Sequence, residues 1–254
     1  MDERTPGQGK RRRVVAVVQA RASSGRLPTK VLRELGGRPV LAWVLRAALA
    51  SAEVDGVVLA TSVDPSDDPV AELAAGVPGV RVHRGPLDDV LSRFTGALVQ
   101  DPAEAVVRLT ADCPLLDPAL IDLLVRTWRA TPSLDHLTTT NPRCLPRGLD
   151  VEVVSRRALD AVDATATGPD RVHVTSAVYR DPARFEVAGL TVHPDASDLR
   201  VTLDTPDDAA LLDGLVAELG DAPPDWRSVV RALRARPDLV EINAEVRQKD
   251  WKDG

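Results

Sequence analysis

A loop of small and cationic residues follows the first apolar run of the chain. The segment QARASSGRLPTK, residues 19–30, comes directly after the valine-rich run VVAVV at residues 14–18. Small residues let backbone N–H groups approach an anion. Arg21 and Arg26 can fork onto phosphate oxygens, and Lys30 can place a point charge on one. The loop predicts an anion site that is neither a P-loop nor a GxGxxG fingerprint, with a solvated basic turn as the alternative.

Two aspartates stand at the predicted ends of two other strands. Asp112 lies just past AVVRLT at residues 105–110, and Asp204 ends VTLD at residues 201–204. Ligands of parallel α/β sheets bind at the carboxyl ends of the strands, and Mg²⁺ takes few protein carboxylates together with substrate phosphates. The two aspartates and the basic loop therefore predict a divalent-metal phosphate site. For Asp112, a turn-forming role before Pro114 is the alternative.

Other reactive side chains point less clearly to chemistry. Cys113 has no evident adjacent base, so a buried structural thiol is favoured over a nucleophile. The four histidines lack the HExxH spacing of a zinc site, and the chain lacks the GxSxG elbow of a serine hydrolase. Asp207 and Asp208 are expected to face solvent in the first turn of a helix, with Thr205 as its N-cap. No general base is evident.

Composition excludes several classes of function. Only 3% of the 254 residues are aromatic, which argues against stacking of single-stranded nucleic acid. The net charge of −6 argues against broad binding to duplex nucleic acid or an anionic membrane. No apolar run approaches the ~20 residues of a membrane span, and the two cysteines fit a reducing compartment. We therefore predict a cytoplasmic protein whose partners are small molecules.

The elements that must position these residues alternate regularly along the first half of the chain. Strand-like and helix-like segments alternate in this order: 14–18, 39–50, 56–62, 68–75, 80–85, 88–100, 105–110 and 117–130. This alternation predicts βαβ units and a mostly parallel α/β sheet covered on both faces. Residues 133–192 are more polar and are expected to form an inserted lobe or sheet extension, with one helix over 170–181. A strand, a turn and two helices complete the chain.

We expect one domain over residues 14–249. Residues 1–13 are predicted to be a disordered basic tail rather than a signal peptide, since no apolar region follows the basic run. Residues 250–254 are predicted to be a second, short tail.

In the order of its motifs, the chain resembles the cytidylyltransferases that activate sugar acids. Its opening fits the family pattern Q-A-R-x-G-S-x-R-L-P-G-K-V-L, followed by an L-G-G turn. Further matches are VLATS, HRGPLDDVLSRF, VVRLTADCPLLDP, PRGLDVEVVSRRAL, VHVTSAVYRDPARF, LRVTLDTPDD and INAEVRQK. The branch it resembles is that of the spore-coat polysaccharide biosynthesis protein F, near the acylneuraminate and 3-deoxy-manno-octulosonate cytidylyltransferases. The resemblance covers residues 14–249.

The resemblance implies a Rossmann-like nucleotidyltransferase fold, that of the nucleotide-diphospho-sugar transferases, in a homodimer with residues 133–192 at the interface. It implies transfer of CMP from CTP to an acidic sugar, with Mg²⁺ and release of pyrophosphate. The catalytic matches are Arg21, Arg26, Lys30 and Asp112, and the metal matches are Asp112 and Asp204. The nucleotide-binding matches are Gln19, Ala20, Arg21, Ser23, Ser24, Gly25, Thr61, Ser62, Asp88, Asp89 and Thr110. The acceptor-binding matches are Arg147, Asp150, Arg171 and His173.

Three residues depart from the family pattern. Ser23 and Thr29 replace glycines of the loop, and Ser23 is tolerable only at negative φ. Val172 replaces the glutamate of R-E-H-V-T, which leaves the acceptor open. A phosphonate acceptor is therefore an alternative to a sugar acid, and a nucleotide-binding module without turnover is a second alternative.

Overall fold

Valine-rich segments form the middle of a seven-stranded sheet in a computed structural model, which describes residues 11–248. The strands are β1 (Val14–Gln19), β2 (Glu34–Leu35), β3 (Arg38–Pro39), β4 (Gly56–Ser62), β5 (Val80–Gly85), β6 (Ala105–Thr110), β7 (His136–Thr138), β8 (Glu152–Ser155) and β9 (Val187–Gly189). The helices are α1 (Val40–Ala50), α2 (Asp68–Ala75), α3 (Val90–Gln100), α4 (Pro118–Ala130), α5 (Arg156–Asp163), α6 (Pro169–His173), α7 (Ser176–Tyr179), α8 (Pro206–Leu219), α9 (Trp226–Ala235) and α10 (Pro237–Ile242).

The strand order is β5-β4-β1-β6-β8-β7-β9, with β2 and β3 forming a separate hairpin. The four strands from β5 to β6 are mutually parallel, whereas β8 is antiparallel to β6 and to β7. The predicted mostly parallel α/β sheet is therefore confirmed. The last residues of β1 and β6, Gln19 and Thr110, are partners in the register. This pairing places the basic loop beside Asp112.

Both faces of the sheet are covered because side chains alternate along each strand. On β1, Val14, Ala16 and Val18 pack into a core that includes residues of α1, α2 and α4. The intervening Val15 and Val17 pack into a second core with residues of α3 and α5. Continuous apolar strands of this kind are typical of a sheet buried on both sides.

The polar segment 133–192 extends the sheet through β7, β8 and β9. The single helix predicted over residues 170–181 is wrong, because α6 and α7 are separate. Between them Val174 has φ 56°, a conformation that no helix interior adopts, and its side chain is fully buried. Tertiary packing of Val174 therefore interrupts a segment whose local pattern predicts one helix.

The strand predicted before α8 is also wrong. Residues 199–204 form no strand and make only an isolated bridge, from Arg200 to Arg147. Their backbone bonds go to loops instead, since Leu203 N–H donates to the carbonyl of Asp112 at 2.8 Å. Asp204 therefore ends a segment that is bonded directly to the residues after β6.

The N-terminal basic run is partly packed. The guanidinium carbon of Arg12 lies 3.5 Å from the centre of the Trp128 ring, and Arg13 forms an ion pair with Asp101 at 2.7 Å. A disordered tail that extends to residue 13 is therefore wrong for residues 11–13. The predicted tails at residues 1–10 and 250–254 lie outside the described residues. Within residues 11–248, no helix is long and apolar enough to cross a membrane.

Candidate active site

The loop after β1 is held by a buried carboxylate. Asp67 accepts hydrogen bonds from Ala22 N–H at 2.6 Å and from the backbone and hydroxyl of Ser62. The loop closes on itself where Thr29 N–H donates to the carbonyl of Ala22 at 2.8 Å. Ser62 therefore acts on the loop through Asp67, and Thr61 beside it is fully buried. Neither lines a described cavity.

The loop forms one wall of a cavity of about 280 Å³. The predicted residues that line it are Gln19, Ala20, Arg21, Ser23, Ser24, Gly25, Arg26, Lys30, Thr110, Asp112, His173 and Asp204. The structure thus brings the basic loop and both strand-end aspartates to one opening. Ser23 is not among the described residues of positive φ, whereas Thr29 is.

Lys30 lies between the two aspartates. Its Nζ is 2.7 Å from Asp112 Oδ2 and 2.7 Å from Asp204 Oδ1. Although burial opposes the shift, attraction to both carboxylates raises the pKa of Lys30 above its ordinary value. Burial would raise the pKa of Asp204, but attraction to Lys30 and Arg26 lowers it below its ordinary value. Two carboxylate oxygens therefore converge on one cation.

Asp204 is held by two further arginines. Arg26 and Arg200 each place an NH2 group 2.8 Å from Asp204 Oδ2. Arg200 also pairs with Asp208 at 2.8 Å. Thr205 is the N-cap of α8 as expected, and Asp208 completes a capping box with it. Asp208 is fully buried, which corrects the expectation that it faces solvent. Its burial follows from its contacts, since it neutralises Arg200 beneath the site.

The residues fit a hard divalent cation. Carboxylate oxygens are the ligands that Mg²⁺ prefers, and it usually needs only one or two of them beside phosphate oxygens and water. Asp112 and Asp204 supply two such groups, directed at the point where the Lys30 ammonium lies. Within residues 11–248, no group of three or more metal-ligating side chains is present. Substrate oxygens would therefore have to complete the coordination.

A second cavity of about 520 Å³ adjoins the first, because Gln19, Asp112 and Asp204 line both. It adds Arg147 and Asp150, two of the predicted acceptor residues. Each carboxylate that lines it has a cationic partner; for example, Arg143 NH1 lies 2.7 Å from Asp150. Arg147, by contrast, forms no ion pair within residues 11–248, and burial lowers its pKa.

Five predicted site residues lie outside these cavities: Thr61, Ser62, Asp88, Asp89 and Arg171. Asp88 is exposed in the turn before α3. Asp89 caps α3 by accepting from Ser92 N–H at 2.9 Å. Arg171 binds Asp89 at 2.8 Å and Asp163 at 2.7 Å, so it joins α6 to α3 and α5. A structural role explains Asp89 and Arg171 because each already has its partners in the fold.

Comparison with known proteins identifies the family. The cytidylyltransferase family matches residues 15–196. The chain is 32% identical over 244 residues to an uncharacterized protein of Methanocaldococcus jannaschii, a match covering 95% of this chain and 98% of that protein. The chain belongs to the cytidylyltransferase family. It is also 31% identical over 237 residues to the spore coat polysaccharide biosynthesis protein SpsF of Bacillus subtilis, covering 89% of this chain and 96% of SpsF.

Solved structures agree with this assignment. A cytidylyltransferase from Leptospira borgpetersenii superposes with a TM-score of 0.86 and 26% identity, covering 94% of this chain and 99% of that one. A CMP:2-keto-3-deoxy-manno-octonic acid synthetase complexed with CTP shares the fold, with a TM-score of 0.63 and 19% identity over 81% of this chain and 99% of that one. The predicted nucleotidyltransferase fold and CTP-dependent cytidylyltransferase class are thereby confirmed.

Sequence reasoning missed a buried ionic network in this cytidylyltransferase. Arg108 on β6 donates to Gln19 Oε1 at 3.0 Å and pairs with Glu152 on β8. Glu152 also accepts from Thr175 at 2.6 Å and contacts His136 Nε2 at 2.9 Å. Burial would raise the pKa of Glu152, but Arg108 and His136 hold it well below its usual range. The available signal was one arginine and one glutamate inside otherwise apolar strands, where charges are rare unless paired.

A second missed residue is Arg93 on α3, which lines the first cavity although it is only 1% exposed. Its position on the apolar face of the helix is the signal that could have found it.

The expectation for Cys113 is confirmed, since the thiol is buried. Burial and the charge of Asp112 raise the pKa of Cys113 well above its ordinary value, so it is a neutral thiol near pH 7.

Proposed function

We propose that this cytidylyltransferase transfers CMP from CTP to an acidic sugar of the ulosonic or nonulosonic acid type and releases pyrophosphate. One observation carries the proposal. Asp112 and Asp204, which both bind Lys30, line the same cavity as Arg147, and Arg147 forms no ion pair among the described residues. A half-buried guanidinium of this kind favours a ligand that brings a negative charge. An acidic acceptor beside a metal-phosphate site meets that requirement.

In this proposal the loop binds the triphosphate. Backbone N–H groups around Ser23, Ser24 and Gly25 surround the phosphates, and Arg21 and Arg26 fork onto their oxygens. Lys30 and Arg26 neutralise charge as the bond between the α-phosphorus and the bridging oxygen breaks and pyrophosphate leaves. We assign Mg²⁺ to Asp112 and Asp204, where it would stabilise phosphoryl charge as a Lewis acid.

Arg147 orients the acceptor. Pairing of its guanidinium with the acceptor carboxylate would hold the attacking oxygen at the end of the cavity that Asp112 and Asp204 share with the triphosphate site. The new bond joins that oxygen to the α-phosphorus of CTP as the bond to pyrophosphate breaks, and the proton of the attacking hydroxyl passes to water or to the released pyrophosphate. Most of the rate enhancement then comes from positioning and charge stabilisation by fixed groups.

The test is turnover with a panel of acceptors. The protein is incubated with CTP, Mg²⁺ and separate sugar acids or phosphonates, and pyrophosphate release is measured. Turnover with a sugar acid is expected. Turnover with a phosphonate alone would replace the proposed acceptor, and CTP binding without turnover on any acceptor would contradict catalysis.

Asp112→Asn tests the metal assignment with the acceptor so identified. The substitution removes the charge but keeps the shape, and we expect kcat to fall about a hundredfold or more. Asp213→Asn is the matched control, because Asp213 is exposed on α8 and pairs with Arg33 outside both cavities. Unchanged turnover in Asp112→Asn would contradict the assignment.

We further propose a cytoplasmic homodimer whose contacts lie in residues 133–192. That segment supplies the sheet edge, β9, whose last two residues are exposed, and an exposed edge strand is a surface that another chain can cover. Light scattering is expected to give twice the 27.2 kDa mass of one chain. A mass of one chain would contradict the proposal.

A further inference from the structure

Arg93 is a buried cation whose guanidinium has no hydrogen-bond partner within residues 11–248. It lies on the face of α3 that packs on the sheet, next to Val90 and Phe94. Its Nε and NH1 atoms are buried without an acceptor, and its side chain lines the 280 Å³ cavity. Burial lowers the pKa of Arg93, and the positive charge of Arg21 adds to that effect. An arginine stays ionised even so, which makes a missing acceptor unfavourable.

The three carboxylates that attract Arg93, Asp67, Asp88 and Asp89, do not supply that acceptor. Asp67 attracts Arg93 electrostatically, but its oxygens accept from Ala22 and Ser62. Asp89 accepts from Ser92 and pairs with Arg171. The N–H donors of Arg93 are therefore available to a ligand that enters the cavity.

The place of Arg93 in the fold indicates which part of CTP it meets. Asp112 follows β6, which pairs with one edge of β1, whereas α3 packs on β4 and β5 at the other edge. The loop that carries Arg21 lies between them and follows β1 itself. The lining of the cavity also includes the apolar side chains of Ala20 and Val90. A flat base suits such a buried, partly apolar wall better than a strongly hydrated phosphate.

We propose that Arg93 reads the base of CTP by donating hydrogen bonds to O2 and N3 of the cytosine ring. These atoms are two adjacent acceptors, and the end of a guanidinium presents two parallel N–H donors. Uracil offers O2 as an acceptor but carries a proton on N3, so one N–H donor of Arg93 would face the N3–H donor of the base. Arg93 is then a specificity-determining residue that favours CTP over UTP. The inference rests on the cytidylyltransferase activity and is independent of the acceptor.

Calorimetric binding of CTP, UTP and inorganic tripolyphosphate to the full chain with Mg²⁺ tests this role. Arg93→Met is expected to weaken CTP about tenfold or more, while UTP and tripolyphosphate change little. Arg21→Met is the matched comparison, because it removes a guanidinium of the same cavity from the phosphate loop. It should weaken all three ligands alike. Loss of an unpaired buried charge should leave the thermal midpoint of ligand-free Arg93→Met equal or higher.

The unaltered chain provides a second measurement that does not depend on a variant. The triphosphate of 3-deazacytidine lacks the N3 acceptor, so we expect it to bind about tenfold more weakly than CTP. In Arg93→Met the two nucleotides should bind alike, which completes a double-mutant cycle. Equal binding of CTP and 3-deaza-CTP by the unaltered chain would overturn the role. So would an Arg93→Met variant that loses tripolyphosphate as strongly as CTP. Absence of any CTP binding would overturn the cytidylyltransferase assignment as well.

Discussion

Thr29 is a residue whose side chain conflicts with its backbone. It has φ 55° and ψ 19°, in the left-handed region, where a β-branched residue is strained. Two hydrogen bonds keep it there: its N–H donates to Ala22 at 2.8 Å and its hydroxyl to the carbonyl of Pro28 at 2.7 Å. The family pattern has glycine at this position. The strain is therefore local to the turn that leads into Lys30.

Thr29→Gly should stabilise the protein. A residue other than glycine loses about 1–2 kcal/mol in this conformation, and the freer unfolded glycine returns part of that gain. We expect a net gain of about 0.5–1 kcal/mol, measured by urea unfolding. Ser23→Gly is the control, since Ser23 is outside the positive-φ residues and should gain nothing. A loss of stability in Thr29→Gly would show that the hydroxyl contact outweighs the strain.

At the scale of elements, Glu152 joins four parts of the fold. It lies on β8 and binds Arg108 of β6, His136 of β7 and Thr175 at the start of α7. The Glu152 side chain is 9% exposed and that of Arg108 14%, so removing the charge of Glu152 leaves a largely buried guanidinium without its carboxylate. Breaking a buried pair in this way costs about 3–5 kcal/mol.

Glu152→Gln should therefore lower the free energy of unfolding by about 3 kcal/mol at neutral pH. The folded pKa of Glu152 is depressed, so its contribution is fully present above the unfolded value near ~4.3 and is lost as pH falls through the folded pKa. The difference between the two proteins should thus narrow by about 1–2 kcal/mol between pH 5 and pH 3. Glu72→Gln, on the exposed face of α2, should change stability by less than about 0.5 kcal/mol throughout. A difference independent of pH would contradict this account.

The segment after α10 is a second element that bears on the site. Asn243 is buried and donates to Asp208 Oδ1 at 2.9 Å. Farther along, the carbonyl of Arg247 accepts from Arg26 at 3.3 Å and Gln248 accepts from Arg200 at 3.0 Å. Both of these arginines hold Asp204. The segment therefore supports Asp204, the carboxylate proposed to bind the metal, through both arginines.

Asn243→Ala should release that support. We expect a loss of about 1–3 kcal/mol in stability, because buried Asp208 loses a donor. Misplacement of Asp204 should lower kcat/KM about tenfold. Glu245→Ala lies two residues away on the exposed side of the same segment and should change neither quantity. Normal kcat/KM in Asn243→Ala, measured by pyrophosphate release, would mean that Asp204 is held without the segment.

At the scale of the whole molecule, the sequence pattern predicts those elements whose structure depends on residues close together in the chain. Strands 56–62 and 105–110 were predicted with their observed bounds, because apolar runs between turn residues leave little choice. The meeting of Asp112 with the loop followed from parallel strands sharing one edge. The roles of Ser62 and Arg93 could not be predicted in this way. They depend on Asp67 and on the depth of α3, which are contacts between distant parts of the chain.

The same long-range construction links the site to global stability. Its lining comes from the loop after β1, from β6, from β8, from Asp204 and from Gln248 near the end of the described chain. A ligand that binds only when these parts are together must stabilise the entire fold. At a CTP concentration about 100 times Kd the gain is about 2.7 kcal/mol, and we expect the thermal midpoint to rise by about 5–10 °C. Chelation of Mg²⁺ should reduce the rise, because the charges on the triphosphate and the two carboxylates then repel. A midpoint unchanged by saturating CTP would mean that the site unfolds separately from the sheet.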